Sequence, residues 1–572
     1  MIAGINYVKR KNTELFQSFS EGHLSIDNCQ NYIPYYDAYF SLTDANFNSI
    51  NLNNPWHIHT IKSETKCLVK HATEKPRNVK VFFKLAPLID PFKYVLGKYQ
   101  AEKDKLLNLP SLVPSDQVLL KIAEKNNSAY VDGFFSYLTD LLKNNYGFVH
   151  GLDFYGSFLG IKNEFKVNII EDLEYLCRSD FFNKNKGVLF EVDNYDYLFD
   201  SPQKLPTINI TEISAQSELV FENLDEIEVR KEEKEEREVK EENEEQAEEI
   251  EVVSLKNSRS TTSTCSSRTS HTSGNSDPNS SIKSETEGEG EGDGEDEPSQ
   301  WEDVESPTTR SSSFSDDDVF MTLPKFPVNV ICMEHCEDTL DSLINSEKEI
   351  PDEEWFAILM QVIMMLLTYQ KVFHMTHNDL HTNNIMFNKT TEKYLYYCFD
   401  GTTYRVPTFG RIYKIIDFGR AIYKYGEVGF CSDCFKKNED AATQYNCEPY
   451  FNKKKPRLDP NYSFDLCRLA CSIFDYVVED MSSIKKLEEC GPVIRLIVQW
   501  CLDDNGLNVL YKMNGDERYP DFKLYKMIAR CVHEHTPKNQ LLRPEFKSFA
   551  VSQKSLTGKE TIMNIDKIPC LV

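Results

Sequence analysis

Residues 205–321 have no means of forming a core, and that break constrains every fold open to this chain. They run through "RKEEKEEREVKEENEEQAEE" to "SRSTTSTCSSRTSHTSGNS" and "ETEGEGEGDGEDEPSQ". The first run can form a charged helix with Glu–Lys pairs four apart. The rest offers too little apolar surface to offset the entropy of ordering, so disorder is predicted. Residues 221–320 hold 31 Asp+Glu against 10 Lys+Arg, a balance of −21 within a total of −27. The remaining 472 residues therefore carry only −6. The acidity belongs to this one segment, and no basic domain marks a nucleic-acid binder.

The flanking blocks look globular, since the whole chain is 40% hydrophobic and 12% aromatic. Residues 1–55 show weak periodicity and read as an N-terminal extension. From residue 56, "HIHTIK", "TKCLVKH" and "NVKVFFKL" alternate as half-buried strands do. A helix is predicted over 126–144, with Tyr130, Phe134, Leu138 and Leu141/Leu142 on one face and an Asn/Ser cap. Two strands are expected in "FVHGLDFYGSFLGI", a strand in "FPVNVICMEH" and helices at 337–345 and 351–373. The most apolar run, residues 355–367, falls short of the roughly 18–20 residues that span a bilayer and reads as a buried helix. The start lacks a signal-peptide core, and the 16 scattered cysteines fit reduced thiols in the cytoplasm.

Chemistry concentrates in "HNDLHTNN", residues 377–384, and "IIDFGRA", residues 415–421. Phosphoryl transfer needs a carboxylate to orient the attacking hydroxyl, oxygen ligands for Mg²⁺ and a cation on the phosphates. Asp379 supplies the first, and Asn384 with Asp417 the second. The apolar "YKIIDF" delivers Asp417 from a strand end, and Gly419 lets the chain turn after it.

"H-x-D-L-x-x-x-N" followed by "D-F-G" resembles the catalytic and metal-binding loops of the eukaryotic-type protein kinase superfamily. The wording of this block is also similar to kinases encoded by giant DNA viruses, which would place the chain in host cytoplasm or virion. The resemblance implies an α+β, bilobal protein-kinase-like fold. Its parts would be a β-rich small lobe over 56–204, a last strand and hinge at 322–336, and a mainly helical large lobe over 337–555. A tail at 556–572 would follow. It implies ATP and Mg²⁺ as cofactors and protein Ser/Thr as acceptor. Asp379 and Lys84 of "VFFK" would be catalytic, and Asn384 and Asp417 would ligate metal. Lys84, Glu334, Cys336, Asn384 and Asp417 would bind the nucleotide. Asp132, with Asp140 as rival, would pair with Lys84. Asp465 and Arg543 match further family positions, with Glu448 as the partner of Arg543.

Several residues depart from the family. Residues 56–80 contain no glycine, so no glycine-rich turn covers the phosphates. Phe82 stands where a small residue is usual. Asn378 replaces the arginine that answers activation-loop phosphorylation, so control by that route is not expected. "HxDLHxxN" also resembles haspin-like kinases and aminoglycoside and choline phosphotransferases. The alternatives are therefore a small-molecule phosphotransferase and a pseudokinase scaffold. Cys431, Cys434 and Cys447 have zinc-like spacing but no fourth ligand nearby, and plain thiols are favoured. The run "KKKPR" at 453–457 would suit an acidic or phosphorylated protein substrate; neither nucleic acid nor membrane is expected as a partner, and oligomeric state is open.

Overall fold

The computed structural model describes residues 5–195, 318–346, 348–552, 554 and 556–572. The expected charged helix and disorder at 205–317 lie outside them. A strand begins at Phe320, two residues before the expected start of the last small-lobe strand at 322. The described residues combine α and β structure, with a β-rich N-terminal part and helices further on.

The N-terminal part is built on an antiparallel sheet of seven strands: β1 (Ile26–Gln30), β2 (Trp56–Ile61), β3 (Lys66–His71), β4 (Arg77–Pro87), β5 (Phe154–Asn168), β6 (Glu191–Val192) and β7 (Phe320–Glu334). Its order is β1-β5-β7-β4-β3-β2, with β6 beside β7. Where two strands were expected in 148–161 there is one long one, since residues 147–153 form a loop and pairing begins only at Phe154. The pairs Glu191↔Thr322 and Val192↔Met321 close β6 on β7, and Phe320 donates its N–H to Asp193 at 3.0 Å. The chain thus leaves this sheet and rejoins it at neighbouring points. Residues 1–55 contribute more than an extension: α1 (Thr13–Glu21) packs near β2, and β1 joins the sheet edge.

Six helices of nine or more residues are described: α1, α2 (Ser128–Tyr146), α3 (Asp352–Phe373), α4 (Phe464–Val477), α5 (Pro492–Trp500) and α6 (Lys523–Cys531). Asn127 caps α2 by accepting from the Ala129 N–H at 3.0 Å, and Gly147, at φ 68°, ends it in the left-handed conformation. The expected one-sided apolar face on α2 is corrected, because every residue from Ala129 to Leu142 is buried. Helix α3 is long and apolar enough to cross a membrane, with mean hydropathy 1.6, yet 89% of that stretch is buried within the protein. It is the central core helix of the C-terminal half.

Four strands follow α3: β8 (Ile385–Lys389), β9 (Tyr394–Phe399), β10 (Thr402–Pro407) and β11 (Arg411–Ile415). The β9–β10 hairpin fills the long interval between Asn384 and Asp417. A second hairpin, β12 (Ile422–Tyr425) with β13 (Val428–Cys431), lies just beyond. The final residues do not trail away: Ile562–Asn564 pairs parallel with β9, and the Lys371 ammonium binds the carbonyls of Asp566 and Ile568 at 3.0 and 2.8 Å.

Candidate functional site

The alternation of β4 points Lys84 and Phe82 to one face of the sheet, two residues apart. Lys84 is buried, and its ammonium lies 2.7 Å from Asp132 on α2 and 2.8 Å from Asp417. Burial opposes its charge, but the two carboxylates outweigh that and raise its pKa. Asp417 is held below the usual carboxylate range: burial works against ionisation, and Lys84 overcomes it. Burial leads the other way at Asp132 and raises it. Asp132 also accepts the Phe418 N–H at 2.8 Å, so one carboxylate fixes both the lysine and the chain after Asp417. Asp140 lies elsewhere on α2 and accepts the Phe154 N–H at 3.2 Å.

The turn at Asp417 is made differently from expectation. Asp417 itself takes the left-handed conformation, at φ 62°, and Gly419 does not have a positive φ. A methyl group on Gly419 would meet Asp417 Oδ1 at 3.3 Å, so glycine serves close approach there. Phe418 inserts beside Phe135 of α2 with ring centroids 4.6 Å apart.

The 377–384 loop is pinned from below. Asp465, at the start of α4, accepts the backbone N–H groups of His377 and Asn378 at 2.9 and 2.8 Å. Asn378 donates to the carbonyls of Thr376 and Arg420 and accepts the Tyr445 hydroxyl at 2.7 Å. It takes a left-handed φ of 64°, a conformation asparagine tolerates better than most residues. In place of an arginine that would await a phosphate, a neutral amide ties this loop directly to the 418–445 segment. Asn384 donates to the Asp379 carbonyl at 2.9 Å and to His381 at 3.1 Å. Burial pushes the His381 pKa down to about 4, so its ring is a neutral acceptor.

Asp379 is 1% exposed. Burial opposes its ionisation, but Arg420, His381 and Arg468 overcome that and hold its pKa at about 2. Tyr525 of α6 donates its hydroxyl to Asp379 Oδ1 at 2.8 Å and accepts from Arg468 Nε at 2.9 Å. The Arg420 and Arg468 guanidinium groups lie over the Tyr525 ring at 5.5 and 5.1 Å. Sequence reading did not find this cluster. Arg468, a charge inside the apolar run "FDLCRLACSIF", was the signal available; Tyr525 had none.

Of the proposed hinge residues, Glu334 ends β7 and Cys336 lies two residues on, both buried. The Glu334 side chain is committed to an ion cluster, 2.6 Å from Lys414 and 3.2 Å from Lys143. Those cations overcome its burial and hold it at about 2. Phe82 is opposite Met333 in the strand register and 39% exposed. The hairpin turn at 62–65 stands where a glycine-rich turn would, and the N–H groups of Lys62 and Ser63 bond to the Lys66 carbonyl within it. Arg543 does not meet Glu448; it donates to Gln499 at 2.5 Å. No cluster of three metal-ligating side chains occurs among the described residues, around Cys431 or elsewhere. The described cysteines are free thiols.

No family model matches the chain. Among curated proteins it is similar to the serine/threonine-protein kinase haspin of Mus musculus, 29% identical over 127 residues, and of Bos taurus, 29% identical over 136 residues. These stretches cover 22% and 24% of the chain and 16% of each relative, so the chain spans about a sixth of the length of the curated relatives it matches. The relationship is distant, and it is to a protein kinase.

Proposed function

We propose that this chain is a bilobal, ATP- and Mg²⁺-dependent protein kinase that phosphorylates Ser or Thr of a protein substrate. The observation that carries the reading is Lys84 held between Asp132 and Asp417, 2.7 and 2.8 Å away, beside a pinned loop bearing Asp379 and Asn384. Lys84 would position the α- and β-phosphates, with Glu334–Cys336 along the adenine. Asp132 keeps the lysine charged and aimed when phosphate takes the place of one carboxylate.

The donors near Asp417 suit Mg²⁺. The amide nitrogen of Asn384 is committed to Asp379 and His381, which leaves its side-chain oxygen to serve, with the Asp417 carboxylate, as a hard ligand. A pair of protein oxygens suits an ion whose shell phosphate and water complete. Bound there, Mg²⁺ would neutralise charge on the phosphates. Asp379, ionised at neutral pH, would accept the hydrogen bond of the incoming hydroxyl. Its low pKa makes it a weak base, which suits a loose transition state in which orientation precedes proton transfer.

A second reading, a nucleotide-binding scaffold without catalysis, is favoured by the Tyr525 hydroxyl on Asp379 and by the glycine-free turn at 62–65. Phosphotransfer with Mg²⁺ and γ-labelled ATP, read by mass spectrometry, decides between them. Asp379→Asn is expected to reduce transfer by about 10²–10⁴-fold, and Asp417→Ala to abolish it. Nucleotide binding without transfer, or label that survives both substitutions, would overturn the kinase reading.

A further inference from the structure

Helix α6 joins the candidate acceptor side of Asp379 to the surface. Its inner face supplies Tyr525, whose hydroxyl reaches the carboxylate. Its outer side carries Lys523, Lys526 and Arg530, spaced i, i+3, i+7 along one helical face. The ammonium of Lys526 lies 5.5 Å from the centre of the Phe522 ring, and Lys523 lies 5.8 Å from that of Tyr519. Arg530 donates to the Thr443 carbonyl at 3.0 Å, which fixes α6 against the segment that follows β13.

Beside α6 stands a second basic element with a defined shape. Asn446 donates its side-chain amide to the carbonyls of Asn452, Lys455 and Pro456 at 3.1, 3.0 and 2.7 Å, and accepts the Asn452 N–H at 2.8 Å. Leu458 then bridges back to Asn446. One asparagine thereby folds residues 452–458 into an arch that exposes Lys453, Lys454 and Lys455. Arg457 adds no unpaired charge, since the exposed Asp459 pairs with it at 2.7 Å.

These cations lack local neutralisation. Among the described residues no carboxylate pairs with Lys453, Lys454, Lys455, Lys523 or Lys526, and Arg530 meets only backbone carbonyls. The pKa of Lys526 is lowered by burial and then by Arg530, Lys455 and Lys523, so arch and helix share one field. Beneath them Arg420, 8% exposed, has a buried guanidinium nitrogen, Nη1, without a hydrogen-bond partner. Lysines that converge without carboxylate partners near a hydroxyl-accepting carboxylate bias the charge of what approaches it.

We propose that the acceptor is an anionic peptide, acidic or already phosphorylated, lying across the Lys453–Lys455 arch and helix α6 with its Ser or Thr directed to Asp379. This rests on the kinase reading for the transfer step but not for the binding. To reach Asp379 Oδ1 the acceptor hydroxyl displaces that of Tyr525, and the peptide's negative charges meet the lysines.

The test uses the full chain carrying Asp379→Asn and three labelled Ser-containing peptides of equal length: Asp/Glu-rich, phosphoserine-containing and Lys/Arg-rich. Fluorescence anisotropy at low and high salt reads their binding. The first two should bind about tenfold tighter than the third at low salt, a preference that fades as salt screens the field. Replacing all three arch lysines by Glu, or Lys526 by Gln, should remove the preference without changing ATP affinity or the melting temperature. A Glu-rich peptide favoured alone, or a phosphopeptide favoured alone, supports the proposal and identifies the source of charge. Equal binding of all three, preference for the basic peptide, or variants that bind as the parent does would overturn it. If the anionic peptides bind and the parent chain with Asp379 intact transfers no phosphate to them, the kinase reading falls while the surface stands.

Discussion

The loop that carries Asp379 and the helix that carries Asp132 converge on one site, yet different forces hold them. Beneath the loop the work is polar: Asp465 takes two backbone N–H groups, and Asn378 joins Thr376, Arg420 and Tyr445. Around α2 it is aromatic. Phe134 lies 4.7 Å from Tyr35, 5.0 Å from Phe430 and 5.6 Å from Tyr39, while Phe135 on the next position meets Phe418, Tyr423, Tyr369 and Phe373. The N-terminal residues thus reach α2 and the β12–β13 hairpin together, and the Tyr39 hydroxyl donates to the Tyr425 carbonyl at 3.1 Å. Hydrogen bonds fix a backbone to tenths of an ångström and need particular residue types. Aromatic packing fixes a helix by volume and tolerates many sequences.

The sharpest way to break that contrast is to empty the aromatic side. Phe134→Ala should cost about 3–5 kcal/mol in denaturant unfolding, and nucleotide affinity should fall with it as Asp132 loses its seat. Nucleotide binding that survives this loss of stability would show that α2 is held by polar contacts after all. On the polar side Asp465→Ala strands two buried N–H groups, at about 1–3 kcal/mol each. Transfer should be lost while the Lys84 pair remains, so the expected signature is intact ATP binding without turnover. Loss of both together would mean that the loop and the lysine site form one cooperative unit.

The smallest effect sharpens the comparison through a carboxylate whose burial outweighs the pull of Lys143 beside it. Burial, followed by Asp153, pushes Asp140 up to about 8, in contrast to Asp379 at about 2. Between the ordinary carboxylate range and pH 8 the folded chain keeps a proton that the unfolded chain has released. Stability from this group therefore falls as pH rises through that window and levels off above it. Asp140→Asn cannot titrate, so its melting temperature should gain on the parent's by about 2–4 °C between pH 5.5 and pH 8.5. A constant difference at both pH values would place the Asp140 pKa near its ordinary range.

The same contrast decides what could be read from the sequence. The 377–384 loop and the 415–421 run are short local patterns, so their wording and spacing drew attention to Asp379, Asn384 and Asp417 although most of their partners are distant in sequence. The long core helix showed itself as an unbroken apolar run, and Lys84 by the resemblance of "VFFK" to the lysine strand of protein kinases. What stayed hidden depends on contacts between distant segments. Nothing local tells that Tyr35 will meet Phe134, or that Tyr525, 146 residues beyond Asp379, will reach it. A periodicity argument also assumes that a helix has a wet side, and α2, buried all round from Ala129 to Leu142, has none there. The single strand over Phe154–Asn168 was misjudged for a related reason: its length is set by its partner β7 more than by its own pattern.

The pairing of β6 with β7 has a consequence for how this chain can change over generations. Because Asp193 and Phe320 are already bonded to each other, the entropy of bringing those two ends together is met by the sheet. Once two ends are joined, the length of chain between them carries a small entropic cost, about 0.6 kcal/mol for each doubling of a loop. The closure of β6 on β7 is therefore compatible with many lengths of chain between its ends. Two relatives of this chain could differ in the number of residues between Asp193 and Phe320 and still share the strands that meet there.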